Sequence, residues 1–578
     1  MMEKWVVAAK KADFNEIAKK FQINPVIARL IRNRDIIGEE AIEEYLNGSL
    51  LNLHDPHLLK DCDKAVDILL EKINDGKRIR VIGDYDIDGV NASYILYRGL
   101  KRCGAEVDVD IPERIKDGYG INEHLVKLAD DDDIDTIITC DNGIAAIEQI
   151  QMAKDLGMTV IVTDHHEIQE VLPPAHAIVN PKQEDCSYPY SNLCGATVAY
   201  KVIVCLYEAM GILAAEALDF IENIAIATVG DVMDLTGENR LIVKEGLLML
   251  AETKNAGLRA LIKVNGLADK QLSAYHIGFV LGPCINASGR LDTAKRALGL
   301  LLEEDEETAL DLAEELKGLN EERKDLTSAG LETAIRQVEE GILIDDDILV
   351  VYLPECHESL AGIIAGRLRE RYHKPAIVLT KAEEGVKGSG RSTPAYHMFD
   401  RLCECSDLLT KFGGHPMAAG MSLAEENVTT FRKRINTKTG LTAEDFIPKT
   451  VIDVAMPLDY ISESLIAELE YLEPFGKANS KPVFAEKDLD ILGARILGKN
   501  KNVIKMQVLN QNGMTMEAMY FGDIQKFQEY LTATFGTAEV EKLFQNRQNK
   551  VKLSVTYYPT INEYMGKKTI QIIVSNYQ

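Results

Sequence analysis

Three short β-branched runs, each ending in a turn rich in carboxylate or imidazole, constrain this chain more than any other feature. Val81-Ile82-Gly83 leads into Asp84-Tyr85-Asp86-Ile87-Asp88-Gly89, Ile137-Ile138-Thr139-Cys140 into Asp141-Asn142-Gly143, and Val160-Ile161-Val162-Thr163 into Asp164-His165-His166. In an open parallel sheet, ligand-binding groups collect where strand C-termini face one crevice. Residues two apart in extended chain point the same way, so at least two of Asp84, Asp86 and Asp88 can face it together. Adjacent His165 and His166 diverge, so one can bind metal while the other reaches substrate. Hard carboxylate oxygens mixed with imidazole, without a cysteine cluster, favour Mn²⁺ or Mg²⁺ over structural zinc. The pattern predicts a metal-dependent enzyme acting on phosphate esters.

At 578 residues the chain exceeds one core, and roughly three or four domains are expected. No run reaches the roughly 18 to 20 uncharged apolar residues of a membrane span. Cys194 to Leu218, broken by Lys201, Glu208 and Glu216, reads as a buried amphipathic helix. The start, Met1-Met2-Glu3-Lys4-Trp5, lacks the apolar stretch of a signal peptide, so a cytoplasmic protein is expected. Ten cysteines are scattered without zinc spacing and read as core or surface thiols of a reducing compartment. The net charge of −27 opposes tight duplex binding but leaves room for a local basic channel.

Strands alternate with helices from Arg78 to Asn180, which implies βαβ units and a mainly parallel sheet. Leucines at helical spacing (Leu312, Leu316, Leu319, Leu326, then Leu331, Ile335 and Val338) predict a long linker helix with a neighbour packed on each part. A second α/β unit follows, carrying Gly388-Ser389-Gly390-Arg391-Ser392, read as a loop, and Gly413-Gly414-His415-Pro416-Met417-Ala418-Ala419-Gly420. Towards the C-terminus, Asn512-Gly513 between alternating runs signals a hairpin, and a small closed β-barrel is expected. A further carboxylate, Asp231, follows the apolar run Ala225 to Gly230.

The glycine–aspartate motif at 83–89, Cys140-Asp141-Asn142-Gly143, Asp164-His165-His166, Val229-Gly230-Asp231 and Gly413-Gly414-His415 resemble the ordered motifs of the DHH phosphoesterase superfamily. Within it, Ile111-Pro112-Glu113-Arg114 with Gly118-Tyr119-Gly120, Asn286-Ala287-Ser288-Gly289-Arg290 and Leu472-Glu473-Pro474-Phe475-Gly476 resemble the branch of 5′→3′ exonucleases specific for single-stranded DNA. The resemblance implies an α/β protein: an N-terminal helical segment (1–60), a parallel-sheet DHH catalytic domain (61–302), a linker helix (303–340), a DHHA1 domain (341–447) and an OB-fold barrel (448–578). It implies two divalent cations bridged by Asp141, one completed by Asp86 with Asp84, the other by Asp88, His165 and Asp231. His166 would touch the scissile phosphate, with Asp141 and His415 beside it in the catalytic set. Arg114, Arg290, Ser389 and Arg391 would grip a 5′-phosphate, and His415 the strand backbone. The implied partners are a single strand with a 5′ end, a helicase and a single-strand-binding protein, acting in DNA repair and recombination, with no membrane and a monomeric enzyme. A phosphodiesterase of the same superfamily for short oligonucleotides or cyclic dinucleotides is the alternative.

Overall fold

The central strands of the first sheet are buried on both faces, because helices cover it above and below. The computed structural model describes residues 3–114, 116–498, 500–564 and 566–578. These residues form two compact units, 53–448 and 3–52 with 449–578. In the first unit, β1 (Arg78–Ile82), β2 (Glu106–Asp110), β3 (Thr136–Cys140), β4 (Thr159–Thr163) and β5 (Ala177–Val179) pair in parallel in the order β2-β1-β3-β4-β5. The connection from β1 turns to one side and the return to β3 lies on the other. That reversal leaves a crevice at the C-terminal ends of β1 and β3, where such sheets bind ligands.

Helices α1 (Cys62–Asn74), α2 (Ile87–Arg102), α3 (Gly195–Ala209) and α4 (Ile221–Gly230) belong to this lobe. Helix α3 accounts for the first part of the apolar stretch read from Cys194. Gly99 lets α2 approach α3 closely, since a Cβ there would meet Ile203 Cδ1 at 2.6 Å. A buried ion pair anchors α3: Lys201 Nζ lies 3.0 Å from Glu238 Oε1, with the two side chains 2% and 1% exposed. Lys201 also donates to the His54 carbonyl, while Tyr188 Oη and the His54 amide donate to Glu238.

The linker is one uninterrupted helix, α5 (Glu306–Glu340). Ala309, Ala313 and Leu316 pack into the first lobe, and Ala334 and Val338 into the second, as the leucine spacing requires. The second lobe holds β6 (Leu349–Tyr352), β7 (Ala376–Lys381), β8 (Val386–Arg391), β9 (Leu409–His415) and β10 (Ala418–Leu423), with α6 (Ala361–Tyr372) against them. Its order is β9-β10-β8-β7-β6. Gly388-Ser389-Gly390-Arg391 is therefore strand, not the loop expected from its composition. Its glycines fit because neighbouring side chains fill the space a Cβ would take, Leu379 Cδ2 lying 2.3 Å from that of Gly388. Gly413 to Gly420 likewise forms a hairpin of two strands.

In the second unit, strands Phe484–Leu497, Val503–Leu509, Thr515–Tyr520, Lys567–Tyr577 and Lys552–Tyr564 close into a ring through the pairing of the first with the last. Gly513 (φ 83°) turns the expected hairpin. Tyr520 and Tyr557 are core residues of this OB-like barrel, whereas Phe521 is exposed. The N-terminal segment divides: Ile27, Leu30 and Ile31 share the barrel's core, Lys4–Val7 pairs in parallel with Lys449–Ile452, and residues 53–60 enter the first unit. Among the described residues no helix is long and apolar enough to cross a membrane.

Removing one partner of a buried ion pair strands the other charge, so Lys201→Met should destabilise the first unit by about 3–5 kcal/mol. Thermal or urea unfolding followed by circular dichroism would measure the loss; an unchanged midpoint would remove the anchoring role of the pair.

Candidate active site

Helix N-termini hold the first acidic motif in place. Asp86 is the N-cap of α2, its Oδ1 accepting from the amides of Asp88 (2.9 Å) and Gly89 (3.1 Å), which satisfies amides the helix leaves unpaired. Asp88 is fully buried and accepts from the first amides of α3, Gly195 (2.6 Å) and Ala196 (2.8 Å). That positive helix end favours its charged form. Asp141 follows β3 in the left-handed region (φ 59°), a conformation aspartate tolerates better than most residues and one that recurs at functional sites.

Three sequence-predicted carboxylates converge around one imidazole nitrogen. His165 Nε2 lies 3.0 Å from Asp141 Oδ1, 3.6 Å from Asp88 Oδ2 and 3.7 Å from Asp231 Oδ2. A second group, Asp84, Asp86 and Asp141, also presents oxygens within 4.8 Å of one another. Asp141 belongs to both sets. Asp231 is reached from the C-terminal end of α4.

The two histidines differ through their surroundings. Burial, with the neighbouring His166 charge, pushes the His165 ring down to about 3, so it is neutral and can donate a lone pair. Burial also opposes charge on His166, but the hydrogen bond from Nδ1 to Asp164 Oδ1 (2.7 Å) and the surrounding carboxylates outweigh it and raise that ring to about 9. Asp164 is an organiser, since its Oδ1 also accepts from the amides of His165 and His166 and its Oδ2 from Ile144. Burial raises Asp88 to about 6, with the Asp86 charge adding to it. Asp84 and Asp141 are pushed well above the carboxylate range by burial and then by their acidic neighbours. Both oxygens of Asp84 and Oδ1 of Asp141 are buried without a hydrogen-bond partner among the described residues. Crowded, unsatisfied carboxylates beside a neutral imidazole are the donor set of hard divalent cations, and the residues present fit such ions.

Beside this centre lies a cleft of about 750 Å³ between the two lobes of the first unit, lined by Tyr85, Arg114, Tyr119, Arg290, Ser389 and Arg391. Arg290 Nη1 donates to the Ser359 carbonyl (2.9 Å), and Arg391 Nη1 to Ser389 Oγ (3.0 Å) and the Gly390 carbonyl (2.8 Å). None of Arg114, Arg290 and Arg391 pairs with a carboxylate among the described residues. Burial, with the charges of Arg114 and Arg323, depresses Arg290 to about 10, and burial with Arg369 and Arg114 lowers Arg391. Uncompensated guanidinium groups in one cleft make an anion site. His415 stands apart, exposed at the end of β9, and joins neither acidic group. It acts on Glu167, whose carboxyl is held low chiefly by Lys182, against burial, and then by His415 and His166.

Sequence reasoning missed three residues. Gly195, where a Cβ would lie 2.6 Å from that of Asp141, carried no local signal. Tyr85 and Tyr119 stood inside recognised motifs without a role. Arg114 stacks 4.8 Å above the Tyr85 ring, Tyr85 meets Tyr119 edge-on at 6.2 Å, and Tyr119 meets His166 edge-on at 5.7 Å. Tyr119 also donates to the Asp141 carbonyl at 2.7 Å. A continuous row of rings thus joins the arginine cleft to the acidic centre.

A parallel sheet with this centre at its switch point and a second lobe closing over it defines a DHH-type phosphoesterase fold. The DHH family N-terminal domain matches residues 78–228, the DHHA1 domain 345–440 and the RecJ OB domain 452–576. The single-stranded-DNA-specific exonuclease RecJ of Haemophilus influenzae is 30% identical over 575 residues, covering 95% of this chain and 96% of that protein. RecJ of Bacillus subtilis is 38% identical over 514 residues, 88% of this chain but 64% of that longer protein. RecJ of Thermus thermophilus in complex with Mn²⁺ superposes with a TM-score of 0.83 at 27% identity, covering 100% of this chain and 79% of that one. A Mg²⁺ complex of the T. thermophilus protein gives 0.78 at 26% identity, covering 100% and 78%. The chain belongs to the RecJ family of single-stranded-DNA-specific exonucleases.

Gly195→Ala should push Asp141 aside while leaving the fold intact, weakening Mn²⁺ binding by about 10- to 100-fold as losses in a ligand's supporting shell do. Calorimetric titration with Mn²⁺ would show it; wild-type affinity would mean that Asp141 is not held from that side.

Proposed function

We propose that this protein is a metal-dependent exonuclease that degrades single-stranded DNA from its 5′ end to 5′-mononucleotides. The observation that carries the reading is the two acidic groups sharing Asp141 beside a cleft of unpaired arginines. In this reading Asp84, Asp86 and Asp141 hold one cation, and Asp88, His165 and Asp231 hold the other together with Asp141. Divalent ions bound there, Mn²⁺ or Mg²⁺, would supply an activated water and neutralise charge on the scissile phosphate.

The chain's own residues then do the positioning. His166, kept protonated through Asp164, donates to a phosphate oxygen of the scissile linkage, and the hydrogen bond to Asp164 fixes its ring. Arg114, Arg290 and Arg391, with Ser389, bind the terminal 5′-phosphate; planar guanidinium forks match phosphate oxygens in pairs. Such a clamp accepts an end and refuses an internal phosphate, which gives the enzyme its polarity. His415 guides the strand from the β9–β10 hairpin. The barrel unit supplies further contact to the strand, as OB-folds do. A helicase and a single-strand-binding protein would supply the strand during repair and recombination in the cytoplasm. A cyclic-dinucleotide or short-oligonucleotide phosphodiesterase is disfavoured by the match to full-length single-strand exonucleases, barrel included.

Asp141→Ala should abolish release of nucleotides from an end-labelled single strand, in Mn²⁺ and in Mg²⁺, with an unchanged circular dichroism spectrum. Substantial residual hydrolysis would refute the shared-ligand role. Arg391→Ala should lower kcat/KM by about 10- to 100-fold on 5′-phosphorylated strands, the loss of a charged hydrogen-bonding group, and far less on 5′-hydroxyl strands. Equal losses on both substrates would defeat the end-clamp assignment.

A further inference from the structure

The cysteines show no metal spacing along the chain, yet folding gathers one with ligands from three separate elements. Cys205 and Glu208 lie three residues apart in the last turn of α3, on one face. Asp63 sits in the first turn of α1, and His57 in the short turn Pro56–Leu58. A His57 nitrogen, an Asp63 oxygen and Cys205 Sγ all fall within 4.8 Å of one another. His57 Nδ1 is 2.5 Å from Asp63 Oδ1, and its Nε2 is 3.0 Å from Glu208 Oε2. Behind Cys205, the buried Cys62 donates its S–H to Cys205 Sγ at 3.4 Å.

We infer that Cys205, His57 and Asp63 form a binding site for one thiophilic divalent cation of the zinc type, separate from the acidic centre. A thiolate, an imidazole and a carboxylate, with a fourth position left open, match zinc's preferences and not those of manganese or magnesium. The Cys62 S–H is the hydrogen bond from behind that stabilises a ligating sulfur. The group is open to entry: His57 and Asp63 line a surface cleft of about 330 Å³, and His57, Asp63 and Glu208 are 42%, 66% and 48% exposed.

Without metal, a protonated His57 clamps Asp63 and Glu208 together, its ring raised to about 9 by Glu208 and then Asp63 against burial. Binding the cation replaces that positive charge, releasing the His57 proton and the Cys205 thiol proton. The ion would pin residues 57–63 to the C-terminal end of α3. Ten residues away, about 15 Å along the helix, the first turn of α3 holds Asp88.

The test is titration of the full-length, chelator-stripped protein with Co²⁺. One equivalent should produce a near-ultraviolet sulfur-to-cobalt charge-transfer band, and Zn²⁺ should abolish it by displacement. The band should persist in Asp141→Asn, which disables the acidic centre, disappear in Cys205→Ser, and need at least about tenfold more Co²⁺ in His57→Gln. His57 is a surface residue, so its variant carries the test if Cys205→Ser fails to fold. Absence of the band in the wild type, its loss in Asp141→Asn, or indifference to His57→Gln would overturn the proposal.

Discussion

Packing like charges into one buried crevice is the constraint on which the catalytic lobe depends. Asp84, Asp88 and Asp141 are each 2% exposed or less, and Asp86 and Asp231 stand beside them. An uncompensated buried carboxylate costs several kcal/mol, so the fold must place positive potential on every side. It does so with backbone amides: the start of α2 on Asp86, the start of α3 on Asp88, and the turn after β4 on Asp164. What the amides leave unmet, above all Asp84 and Asp141, defines the demand for cations. The sheet order matters for the same reason, because only at the reversal beside β1 and β3 can strand ends and two helix starts face one point.

Environment, rather than residue type, separates neighbouring groups. His165 and His166 are consecutive, yet one is turned into the acidic pocket and kept neutral while the other is tied to Asp164 and kept charged. Asp164 likewise differs from Asp141, since its oxygens are filled by amides and imidazole whereas Asp141 retains an unmet one. The arginine cleft obeys the converse rule, with positive charge accumulated where the protein provides no counter-ion.

Much of this was legible in the residues because it is local. Strand-end carboxylates, the leucine spacing of α5 and the Asn-Gly hairpin each carry their signal within a few positions. What was illegible depends on contacts between distant segments. Nothing around Gly195 announces that its missing side chain makes room for Asp141. Gly388 to Arg391 has the composition of a turn, and only its place between β7 and β10 makes it strand. Residues 4–7 join the barrel unit through pairing with residues 449–452, a register that no local pattern encodes. The arginines could be nominated by resemblance, but the rings that connect them to the acidic centre could not.

That row of rings has a consequence for how the two parts of the site are tied together. Arg114, Tyr85, Tyr119 and His166 follow one another in series, so packed aromatic side chains span the distance from the arginine cleft to the acidic centre. Cleft and centre are thereby joined through side chains as well as through the backbone that carries them.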